Sequence, residues 1–91
     1  MQIIIKGEKW GVIYCPLSEI PVQDGKAVLG LCDYENKTLF IADSIKGESK
    51  LQVIAHETIH AIKKSLTEKE VDAIAVNVAK VLWKIGYRKI E

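Results

Sequence analysis

Apolar and polar positions follow two regimes along the chain. Up to residue 43, apolar and β-branched residues come in short runs broken by turn formers. Residues 2–6 stop at Gly7, 10–14 stop at Cys15-Pro16, and 27–33 and 38–42 flank Glu35-Asn36-Lys37. Such runs predict strands, and the last two, joined by a short turn, predict an antiparallel hairpin. Residues 19–26, with Pro21 and Asp24-Gly25, read as an irregular loop. Beyond residue 43 the spacing changes to three and four, through Leu51, Ile54, Ala55, Thr58, Ile62 and Leu66. This period predicts a helix over 49–65. Thr67-Glu68-Lys69-Glu70 then has the form of a capping box, in which a Thr hydroxyl and a Glu carboxylate satisfy free amides at a new helix start. A second helix is predicted over 67–85, with Val71, Ile74, Ala75, Val78, Val81, Leu82 and Ile85 as its stripe and Gly86 as its stop. The expected fold class is α+β: a short, mostly antiparallel sheet packed against two consecutive C-terminal helices.

With 91 residues the chain holds one domain, 1–91, and no second core. It is 48% hydrophobic and 27% charged with a net charge of +1, the balance of an ordinary globular domain. Lys and Arg are spread over both halves among acids, so no basic stripe suits nucleic acid. No apolar run approaches membrane-spanning length, and the start lacks the features of a signal peptide, so no membrane partner and a cytoplasmic location are expected. Cys15 and Cys32 stand alone and far apart, which suits reduced thiols better than a disulfide or a metal pair.

Residues 56–60 read His56-Glu57-Thr58-Ile59-His60, the pattern HExxH. On a helix this spacing stacks two imidazoles on one face, where both reach a single tetrahedral Zn²⁺. The Glu between them can take a proton from a metal-activated water that attacks a carbonyl, so Glu57 is the candidate catalytic base and His56 and His60 are candidate metal ligands. The chain's two histidines both occupy motif positions, within a segment of helical period. On a wheel of about 100° per residue the apolar stripe centres on Leu51, Ile54, Thr58 and Ile62, with the histidines on the opposite side.

Three protein ligands are usual for a catalytic zinc, and without another His or a well-placed Cys the third must be a carboxylate. The second helix offers Glu68, Glu70 and Asp72. If the two helices form an antiparallel hairpin about Leu66, Asp72 stands level with His60 and Glu68 lies about one turn nearer the loop. Glu70 is absorbed by the capping box. Level-matching favours Asp72 as the third metal ligand over Glu68, either directly or through a water.

The segments Gly30-Leu31-Cys32-Asp33-Tyr34 and Thr38-Leu39-Phe40-Ile41, the run 50–62 with the motif, and Glu70-Val71-Asp72-Ala73-Ile74-Ala75 resemble the small HExxH zincins of phages and prophages. These are related to the minimal gluzincins and, more distantly, to peptidases that cleave phage repressors. The resemblance covers about the C-terminal two-thirds of the chain. It implies a metal helix packed on a twisted sheet, an acidic ligand from the second helix and a cleft beside an edge strand. It also implies a zinc-dependent peptidase acting on a peptide or protein, with the substrate strand expected to pair near residues 38–42. Asp72 stands where such families show Glu, and Tyr87 and Arg88 are candidates for the oxyanion stabiliser by chemistry alone. The alternative is an inert zinc-binding interaction module.

Overall fold

The computed structural model describes residues 1–88. Strands β1 (Gln2–Ile5), β2 (Glu8–Cys15), β3 (Gly30–Asp33) and β4 (Thr38–Ala42) precede helices α1 (Gly47–Ile62) and α2 (Glu68–Lys84). The α+β expectation holds, with each element within a few residues of its predicted place. Lys6 and Gly7 both adopt positive φ, 51° and 79°, as a two-residue hairpin turn demands, and this sets Ile5 opposite Glu8. The β3–β4 hairpin pairs Gly30 with Ile41 and Asp33 with Thr38. Its turn is fixed by Asp33, whose carboxylate accepts from Asn36 N at 3.1 Å and Asn36 Nδ2 at 2.9 Å.

The sheet order is β1-β2-β4-β3, with β2 and β4 parallel and the other neighbours antiparallel. Strand β4 is therefore paired on both sides and cannot receive a further strand. The expected substrate edge at residues 38–42 is corrected by this order: the free edge on that side is β3, because the chain folds back outside β4.

Ile5, Trp10, Val12, Cys32, Leu39 and Ile41 form the core, and Val53, Ile54 and Ala61 of α1 pack onto it. The sheet-facing side of α1 thus runs through Val53 and Glu57. Of the expected stripe Leu51, Ile54, Thr58 and Ile62, Ile54 packs on the sheet core, and the sheet-facing side is displaced from the stripe's centre toward Val53, Glu57 and Ala61. Helix α2 packs on α1 through Val71, Ala75 and Ala79, all at most 1% exposed, two of them small enough for close approach. Its start is the predicted capping box, with Glu70 N donating to Thr67 Oγ1 and Thr67 N to Glu70 Oε1. At its end Gly86 takes φ 98°, while Tyr87 N and Gly86 N reach back to Leu82 O and Trp83 O, a Schellman cap. Both cysteines are buried free thiols, as expected. No helix among the described residues is long and apolar enough to cross a membrane.

Candidate metal centre

The i, i+4 spacing on α1 brings His56 and His60 together, with ring centroids 4.9 Å apart. Their side chains are only 18% and 13% exposed. A single carboxylate meets both: His60 Nε2 lies 2.6 Å from Glu68 Oε1, and His56 Nε2 lies 3.2 Å from Glu68 Oε2. One ligand atom from each of the three residues can be chosen so that all lie within 4.8 Å of one another.

Asp72, the carboxylate expected from level-matching, does not join this group. Its Oδ1 stands 3.8 Å from the other ring nitrogen of His56, Nδ1. Two physical reasons account for the exchange. Helix α1 ends at Ile62 and α2 begins at Glu68, so the turn centres on Ser65 and not Leu66, which moves the level partner of His60 from Asp72 to Glu70, two residues nearer the loop and closer to Glu68. Glu68, on the same flank as Asp72, then reaches both rings with its extra methylene. Asp72 instead stands on the Nδ1 side of His56, at 3.8 Å, beyond hydrogen-bond length.

These donors fit a divalent metal. In a tetrahedral site with bonds of about 2.0–2.1 Å, neighbouring ligand atoms stand roughly 3.3 Å apart. The contacts of 2.6 and 3.2 Å are at or just inside that spacing. A cation would need the 2.6 Å contact to open toward that spacing.

Glu57 projects toward β3, where its Oε2 lies 2.9 Å from the point at which a Cβ on Gly30 would stand. Gly30 is therefore the residue that lets the strand approach this carboxylate. Glu57 is buried. Its pKa is pushed up to about 7, first by burial and then by the Glu68 carboxylate. A cation beside it would pull it back toward the charged form.

The histidines, Glu57, Glu68 and Asp72 line one cleft of about 410 Å³. Helix α1 forms its floor, Gly30, Leu31 and Cys32 of β3 one wall, and the start of α2 the other. Tyr34, just past β3, also lines it. Burial, then Cys32, pushes the Tyr34 hydroxyl up to about 12, so it remains a proton donor at neutral pH. Sequence reasoning missed Tyr34 because its place beside α1 depends on β3 being the edge strand. Tyr87 and Arg88 instead line a separate groove with Trp83, Gly47 and Leu51. Arg88 stacks 3.3 Å over the Trp83 ring, so neither residue faces the histidines.

Comparison of the chain with protein-family models, with curated proteins and with solved structures returns no match. The functional reading therefore rests on the side chains.

Proposed function

We propose that the domain is a zinc-dependent metallopeptidase whose metal is held by His56, His60 and Glu68. The observation carrying this reading is the convergence of both Nε2 atoms on one carboxylate, inside the cleft that also holds Glu57. When bound, Zn²⁺ supplies Lewis acidity, polarising a substrate carbonyl and easing deprotonation of water. Glu57 serves as the base: its carboxylate lies in the same cleft as the ligands, takes the proton from the attacking water and can return it to the leaving amine. Tyr34, which lines the same cleft, is the hydroxyl that would donate a hydrogen bond to oxygen that gains charge there. The β3 edge offers backbone groups to an extended peptide lying along the cleft.

Glu57→Gln is the direct test. It keeps the shape of the side chain and the metal ligands but removes the base. Peptide hydrolysis by the zinc-loaded protein should disappear while zinc content stays unchanged. Hydrolysis at the parent rate would remove Glu57 from the mechanism. The second reading is a metal-stabilised interaction module, favoured by the short walls of the cleft, to which β3 contributes only three residues. Turnover of a peptide library that is lost on chelation would separate the enzyme from the module.

A further inference from the structure

Helix α2 carries a second feature that the cleft does not use. The apolar stripe read from its sequence divides in two. Val71, Ala75 and Ala79 are buried, whereas Ile74, Val78, Val81 and Ile85 are 43%, 42%, 58% and 65% exposed. At about 100° per residue these four fall within about 60° of arc, roughly 90° away from the buried residues. Apolar residues scattered singly over a surface need no explanation, but four in sequence along one helix face form a docking surface.

The polar border of this stripe points to its occupant. Glu70 and Lys84 lie on the same flank of the stripe, near opposite ends of the helix. We infer that the stripe pairs with a second copy of this chain, the two α2 helices running antiparallel about a two-fold axis near Asn77 and Val78. That arrangement sets Ile74 against Val81 of the second copy and Val78 against its own counterpart. It also brings Glu70 of each copy to Lys84 of the other, twice. Parallel pairing would place like charge on like. The contact uses the same patch on both copies and closes on itself, so it stops at a dimer. Glu70 uses Oε1 in the helix cap, and its carboxylate has a second oxygen to offer. Glu68 and Asp72 lie roughly 110–150° around the helix from the stripe, so dimerisation leaves the metal cleft open. The inference stands whether or not the cleft is catalytic.

Sedimentation equilibrium on the full chain, loaded from about 10 µM to about 1 mM, tests it. A reversible monomer–dimer equilibrium is expected. Val78→Glu, which sets two carboxylates face to face, should raise the dissociation constant at least tenfold. Lys84→Glu should weaken the dimer by a smaller factor that shrinks as salt is added. Both positions are on the helix surface, and circular dichroism should show unchanged helix content. A monomer throughout the range would overturn the inference, as would a dimer that neither variant weakens. A dimer strengthened by Lys84→Glu would overturn the antiparallel arrangement.

Discussion

Gly30→Ala is expected to destabilise the domain and disturb Glu57 together. The added Cβ would lie 2.7 Å from Val53 Cγ1, 2.9 Å from Glu57 Oε2 and 3.0 Å from Glu57 Cγ. Val53 cannot easily step aside, because a β-branched side chain in a helix has one strongly preferred rotamer. Glu57 can move only by shifting a buried carboxylate within the cleft. Overpacking of this kind costs about 1–3 kcal/mol. Reduced freedom of the unfolded chain returns about 0.4–1 kcal/mol of it. The net loss is about 1–2 kcal/mol, which for a domain of this size lowers Tm by roughly 5–15 °C. Gly11→Ala is the matched control in β2: its Cβ would meet nothing closer than Thr38 Oγ1 at 3.6 Å, an ordinary contact. Calorimetric melts of both variants measure the difference. Hydrolysis should also fall in Gly30→Ala while zinc content is retained, since the atoms nearest the new methyl belong to Val53 and Glu57 and not to His56 or His60. If Gly30→Ala melts with Gly11→Ala, the close approach of β3 to α1 described above is wrong.

Three further outcomes are expected. In chelator competition, Glu68→Ala should lose more than the roughly 10- to 100-fold typical of residues that only orient a ligand, and Asp72→Ala should lose less than Glu68→Ala. The reverse order would restore the register in which Asp72 stands level with His60. Thr67→Ala should cost about 1 kcal/mol in urea melts through loss of the cap, and an unchanged midpoint would refute that role. The cap also gives a pH dependence: its hydrogen bonds with Thr67 hold the Glu70 carboxyl below its ordinary 4.5, so its contribution is present above that value and lost as pH falls below it. The gap between the parent and Glu70→Gln should therefore narrow in acid, and a gap that widened there would contradict the sign.

What the sequence made legible was local. The HExxH pairing, the β3–β4 hairpin, the capping box and the Gly86 stop each depend on residues a few positions apart, whose identities carry their own geometry. What it hid depends on contacts between elements. The parallel pairing of β2 with β4 joins residues about 27 positions apart, and only that pairing makes β3 the edge. Level-matching pointed to Asp72, but a turn centred on Ser65 sets Glu70 level with His60, and it is the longer side chain of Glu68, on the flank of Asp72, that stands within 3.2 Å of both imidazoles. Glu57 looked like a residue beside a metal, and its burial became visible only with Gly30 above it. The stripe of α2 read as one face in sequence because periodicity does not say how much of an apolar arc a single neighbour covers.

The central claim is that His56, His60 and Glu68 hold a divalent metal, and elemental analysis of the purified chain tests it most directly. About one zinc per chain is expected, lost on chelation, regained on dialysis against zinc, and sharply reduced in Glu68→Ala. A metal-free protein that cannot be loaded with zinc would contradict it.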